Sequence, residues 1–136
     1  RLRMDGAATM TPSATAIVLF AHGSRDPLWR APIVAVAAEI QRIEPDMAVR
    51  CGFLELMTPS LPEAVDALVR SGHRCVRVMP LFLGMGRHAR EDLPQLIGQL
   101  RQTHPDLVIE LLPAAGEMPE LTRCLAQLSL KSRVQP

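Results

Sequence analysis

Three side chains able to bind metal and accept protons recur at even spacing. They are His22 in Ala-His-Gly-Ser-Arg, Glu55 in Gly-Phe-Leu-Glu-Leu and His88 in Gly-Met-Gly-Arg-His, with 33 residues in each interval. That interval is about one strand–helix unit of a βαβ chain, so each residue would emerge at the same edge of neighbouring strands. Two imidazoles and a carboxylate suit a divalent metal and leave coordination positions open, as a catalyst or carrier needs. An imidazole, with an unperturbed pKa of about 6.5, also accepts a proton near neutrality. Each residue alone has an ordinary structural use, as a capping histidine or a solvated carboxylate. Three in phase at one sheet edge favour a site. His73 and His104 fall in turns after helices, at the opposite end of the sheet.

Around the three lie Arg25, Arg30, Arg87 and Arg90. They are either solvated loop residues or a cationic rim, since guanidinium pairs well with carboxylate. Met57, Phe82, Leu83 and Met85 would line an apolar floor, unless packing claims some of them for the core. A metal site, an apolar slot and an anion-binding rim together suit a flat, carboxylate-bearing macrocycle.

The elements that must position these residues alternate. The apolar run Ala16–Ala21 predicts a strand buried on both faces, as in a parallel sheet. A first helix follows, with Pro32 in its first turn and Ile33, Val36, Ala37 and Ile40 on one face, and Pro45 ends it. Met47–Leu54 predicts the second strand. Ser60 and Glu63 have capping-box spacing for a helix over Leu61–Arg70, closed by Gly72. Cys75–Pro80 is the third strand, with Arg77 an awkward charge that a place near the sheet edge would accommodate. The Leu81–Arg90 segment reads as a loop displaying His88, with Asp92 capping a third helix that starts near Leu93. Leu107–Leu112 is the fourth strand, and a last helix opening at Pro119 is expected to bury Leu121, Cys124, Leu125 and Leu128. The pattern predicts a single three-layer α/β domain over residues 16–130. Its four-stranded parallel sheet, in order 2-1-3-4, is flanked by helices, and ligands bind beyond the strand carboxyl ends at the switch point. Residues 1–15 and 131–136 read as polar tails.

At 136 residues with 48% apolar content the chain can bury a core, and its net charge of +1 gives no support for nucleic acid as a partner. No apolar run is long enough to span a bilayer. The cysteines, Cys51, Cys75 and Cys124, are odd in number and lie far apart. They read as buried free thiols of a reducing compartment, the cytoplasm.

Three segments in order carry a resemblance: Ala21-His-Gly-Ser-Arg25; Phe53-Leu-Glu55 followed by Thr58-Pro-Ser-Leu-Pro62; and Pro80-Leu-Phe-Leu-Gly-Met-Gly-Arg-His88 followed by Asp92-Leu-Pro94. Together they resemble the short sirohydrochlorin chelatases, the small class II chelatases of sirohaem and cobalamin biosynthesis, over about residues 16–128. The resemblance implies a chelatase-like fold and ATP-independent insertion of Co2+ or Fe2+ into sirohydrochlorin, an octacarboxylate tetrapyrrole. The metal would be a co-substrate, with no permanently bound cofactor. It further implies that His22 and His88 bind the metal and help remove the pyrrole protons, with Glu55 assisting. Ser24, Arg25, Phe82, Leu83, Met85, Gly86, Arg87 and Arg90 would contact substrate. One lobe offers one wall of a cleft, so a homodimer is expected to supply the other, with Met57, Leu83 and Met85 exposed at the contact. Two rivals stand beside this reading. A metal carrier or tetrapyrrole-binding module would use the same site without catalysis. A histidine phosphatase would need an arginine directly before its histidine, where this chain has Ala21.

Overall fold

The computed structural model describes residues 15–134. The expected tail at 1–15 therefore lies outside the described residues except for Thr15, which opens the first strand. Four strands form one parallel sheet: β1 (Thr15–Ala21), β2 (Ala48–Phe53), β3 (Cys75–Pro80) and β4 (Val108–Leu111). Their order is β2-β1-β3-β4, the predicted 2-1-3-4. In register, Leu19 of β1 sits between Cys51 of β2 and Met79 of β3. Chain order reverses between β1 and β3, so the crevice for a ligand opens at the carboxyl ends of those two strands.

The two faces of the sheet are covered unequally. On one lie α2 (Leu61–Arg70) and α3 (Arg87–Thr103). Leu61, Ala64, Val65 and Leu68 of α2, with Leu93, Ile97 and Leu100 of α3, join Val18, Phe20, Val76, Val78 and Ile109 in the larger core cluster. The N-terminus of α2 is fixed as expected. The Ser60 hydroxyl accepts the Glu63 N–H at 3.2 Å, and the Glu63 carboxylate accepts the Ser60 N–H at 2.8 Å. Gly72, just past its end, takes φ +96°, a left-handed turn that glycine adopts without a Cβ penalty.

On the opposite face α1 (Ala31–Ile43), entered through a 3-10 turn at Pro27–Arg30, covers β1 and β2 with Ile33, Ala37 and Ile40. Val36, expected on that face, is exposed. Pro32 lies in the first turn, as predicted. Met79 of β3 still packs against the cluster around Ile33, while over β4 this face is open among the described residues, with Val108 and Glu110 exposed. Arg77 is not near an edge, because β3 is interior. It points to the open face and donates to Glu110, its register partner on β4, at 2.9 Å, which is how a charge is accommodated mid-sheet.

The last helix, α4 (Pro119–Leu130), follows a short 3-10 turn at Ala115–Glu117 and departs from the expected packing. Leu121 is half-buried, and Cys124, Leu125 and Leu128 are exposed. Helical spacing identified its apolar stripe correctly, but no described residue covers Cys124, Leu125 or Leu128. Cys51 and Cys75 are half-buried in strands, Cys124 is exposed, and all three are free thiols. Residues 131–134 carry no regular structure and are exposed, while 135–136 lie outside the described residues.

Candidate functional site

The strand ladders continue past the strands and place the candidate residues. The Leu54 N–H donates to Ala21 C=O at 2.9 Å and the Glu55 N–H to His22 C=O at 3.1 Å. Each residue after β1 is therefore held beside its counterpart after β2. Gly23 makes this possible. It takes φ +102°, and a Cβ there would lie 1.8 Å from the Glu55 carbonyl oxygen. Only a glycine at this position lets the two loops touch. The outcome is a direct side-chain pair, His22 Nε2 to Glu55 Oε2 at 3.1 Å, with both side chains about half exposed. The carboxylate orients the imidazole, as one bound to metal or receiving a proton is commonly oriented.

His88 is placed differently from the sequence reading. It is not on a loop. Helix α3 begins at Arg87, six residues before the expected start, so His88 stands in the first helical turn. Asp92 is inside the helix and caps nothing. Pro94 is also internal, although interior proline normally ends or kinks a helix. The first turn is closed all the same by the Arg90 N–H on Gly86 C=O at 3.1 Å, and Leu93 is anchored in the core. The N-terminus of α3 has no side-chain cap and no acidic residue in its first turn, leaving N–H groups and a partial positive charge facing outward. His88 is exposed and makes no hydrogen bond to His22 or Glu55. Among the described residues, no group of three or more His, Cys, Asp or Glu side chains is gathered tightly enough to hold a metal. His22 and Glu55 are thus brought together, while His88 stands exposed at the β3–α3 junction without joining them.

The surrounding residues divide into three kinds. Phe82 and Met85 pack against the larger core, Phe82 edge-on to Phe20 with ring centroids 5.7 Å apart, so they floor the region mainly as structural residues. Leu83, 70% exposed, is the free apolar side chain of that loop, and Met57 is half-buried against α1's cluster. Ser24 accepts the Asp26 N–H at 3.1 Å and keeps its own hydroxyl proton to donate. Gly86 is the N-cap of α3 with open space around it.

The arginines are not equivalent. Arg30 is engaged: its guanidinium donates to Thr58 C=O at 3.0 Å and lies over the Phe53 ring at 5.2 Å. It ties the turn before α1 to the loop after Glu55 and is no loose rim residue. Arg87 pairs with Glu91 at 3.4 Å across one helical turn. Arg25 and Arg90 are exposed and available. Ser24, Arg25, Pro27, Arg30, Leu56, Met57 and Thr58 border an open groove of about 660 Å3 beside the His22–Glu55 pair. A second groove, about 450 Å3 and mostly apolar, runs past Trp29, Ile33, Val36, Leu83 and Leu121. Sequence reasoning missed Arg30's anchoring role, although its cue, an arginine shortly before a helix and facing an aromatic strand end, was present.

Comparison with known proteins gives the chain its relatives. Residues 16–131 match the CbiX family. The sirohydrochlorin cobaltochelatase of Methanothermobacter thermautotrophicus is 36% identical over 95 residues, which cover 70% of this chain and 65% of that protein. That of Methanocaldococcus jannaschii is 33% identical over 89 residues, covering 65% and 62%. The chain thus spans under two thirds of the length of these curated relatives. Among solved structures, a putative cobalamin biosynthesis CbiX protein from Marinobacter aquaeolei VT8 superposes with a TM-score of 0.74 at 31% identity, covering 85% of this chain and 93% of that one. SirB from Bacillus subtilis, solved with Fe3+, gives 0.66 at 26% identity, over 83% of this chain and 45% of that one. With the family match running from β1 to just past α4, this chain belongs to the CbiX family.

Proposed function

We propose that this chain inserts a divalent metal, Co2+ or Fe2+, into sirohydrochlorin without ATP. The observation that carries the reading is the solvent-open His22–Glu55 pair at 3.1 Å, set at the switch-point end of the sheet beside the α3 turn bearing His88. Metal entry requires two pyrrole N–H protons to leave, so a base must stand where the metal arrives. In this reading His22, held by Glu55, and His88 deliver the metal and accept those protons. They stand on separate strand ends, and the metal and macrocycle bring them to common use. An open arrangement suits a cargo metal, which must be released as well as bound. Arg25, Arg87 and Arg90, with the uncapped N-terminus of α3, receive the substrate's carboxylates. Leu83 and the apolar groove take its flat face. Relatives named sirohydrochlorin cobaltochelatase and a SirB structure in complex with cobalt support cobalt as one metal.

The active unit in this reading is a homodimer located in the cytoplasm. Leu125 and Leu128 on α4 and the exposed face of β4 leave surface that a second copy would cover. Free thiols at all three cysteines support a reducing compartment, and no described helix is long and apolar enough to cross a membrane. The test is anaerobic incubation of the chain with sirohydrochlorin and Co2+ or Fe2+, followed by tetrapyrrole absorbance. Insertion well above the protein-free rate is the expected result. Metal binding with no acceleration would make the chain a carrier instead.

A further inference from the structure

The glycine-rich segment before α3 draws attention to Gly84 and Gly86, yet neither is sterically required. Around both there is open space where a Cβ would stand, and neither has a left-handed φ. The demanding glycine is Gly116, in the turn after β4. A methyl group on it would sit 1.5 Å from the Leu83 carbonyl oxygen and 2.4 Å from its carbon. The Gly116 N–H donates to Phe82 C=O at 2.9 Å. We infer that Gly116 is a positioning residue: it presses the turn after β4 against Phe82–Leu83 and so sets where the first turn of α3, with His88, begins.

The two sides of this contact differ in how readily they yield. The Gly116 side is anchored. Ala114 is buried, the Leu112 N–H continues the ladder onto Val78 C=O at 3.0 Å, and the Glu117 N–H closes the turn onto Ala114 C=O at 2.9 Å. The Leu83 side is held at its flanks by Phe82 and Met85 in the core, but Leu83 itself is exposed and the unhindered Gly84 follows it. Only Gly84, Met85 and Gly86 separate Leu83 from the start of α3. Any atom added at Gly116 therefore pushes Leu83 and Gly84 first, and the push passes through Met85 to Arg87 and His88. Gly23 fixes the His22–Glu55 half of the site by the same device, a backbone contact too close for a side chain. The site is then assembled by two glycine contacts, one from each flanking loop.

The chelatase reading is needed only for the rate consequence, so the test has two independent readouts. The first is the imidazole 1H–13C spectrum of the four histidines. In Gly116→Ala the His88 resonance should move while His73 and His104, at the far end of the sheet, stay in place. Gly98→Ala, mid-α3 with open space at its Cβ position, should move none of them. The second readout is cobalt insertion into sirohydrochlorin. Turnover should fall by about 10- to 100-fold in Gly116→Ala, the order expected for a reacting group misplaced by about 1 Å, and KM should rise with it, since Leu83 and Arg87 move too. A folded Gly116→Ala with an unmoved His88 signal overturns the inference, as does one in which all four histidines move together. If His88 moves but no chain, parent included, inserts metal, the positioning stands and the chelatase reading falls. Should Gly116→Ala not fold, Ala115→Gly carries the test, since it adds no atoms and only loosens the turn. A smaller shift confined to His88 supports the clamp, and an unchanged His88 signal contradicts it.

Discussion

At the scale of single residues, the His22–Glu55 contact is where sequence and structure meet most directly. Residue type and the repeated interval named both residues, because strand–helix units of similar length bring their strand ends into line. Their mutual distance was not legible, since it depends on Gly23 lying against the Glu55 carbonyl, a contact between loops far apart in sequence. Gly23→Ala should therefore destabilise the fold as well as the site. A left-handed backbone costs an alanine about 1–2 kcal/mol even before the collision with Glu55, so a thermal melt should drop by several degrees. An unchanged melt would mean the two loops are not held together as described. The cationic residues also separate at this scale. Arg30 serves the fold through Thr58 and Phe53, so Arg30→Ala should cost stability, about 1 kcal/mol from the ring contact and hydrogen bond together. Arg87→Glu with Arg90→Glu should instead leave the melt near the parent value. That double variant should raise KM for sirohydrochlorin and remove most of its salt dependence. A parent KM insensitive to molar salt would exclude a cationic rim.

The elements were legible where periodicity and capping agree. The Ser60–Glu63 box and the Gly72 terminus follow from local chemistry, and the parallel sheet from the alternation of strands and helices. The start of α3 did not, because Asp92 and Pro94 imitate a helix beginning near Leu93. The true first turn is supported by the Gly86 carbonyl and by the anchoring of Leu93 in the core, neither of which is a local sequence signal. The consequence for function is direct, since His88 is held by helical backbone and not by a free loop. The cysteines offer a check on how the strands are covered. Burial raises the Cys51 thiol pKa above its ordinary value, with the Arg30 charge opposing. Raised in the fold, this group contributes stability that is complete below its unfolded pKa and is lost as pH climbs through the folded one, so the effect belongs to alkaline solution. Near neutrality Cys124 should react first with a thiol reagent and Cys51 much more slowly. Equal rates for the two in the folded protein would contradict the strand's half-buried setting.

For the whole molecule, hydrophobic spacing correctly marked one face of α4 as apolar but could not say what covers it. Leu125 and Leu128 remain exposed, and on the sheet face opposite α2 and α3 so do Val108 and Glu110 of β4. Leu125→Glu with Leu128→Glu should therefore shift sedimentation from a dimer toward the monomer mass of 14.9 kDa without unfolding the domain, because neither side chain contributes to its core. A parent that sediments as a fully active monomer would remove the dimer from the account. The central claim is that the open pair at the β1 and β2 ends, with His88 in the first turn of α3, performs metal insertion. Its most direct test is the anaerobic initial rate of Co2+ insertion into sirohydrochlorin by the parent, His22→Ala and His88→Ala, each first shown to melt within a degree or two of the parent. Both side chains are exposed, so stability should hold, while on the proposed roles loss of either imidazole should lower turnover by about 100-fold or more. Near-parent turnover in either folded variant would contradict the account.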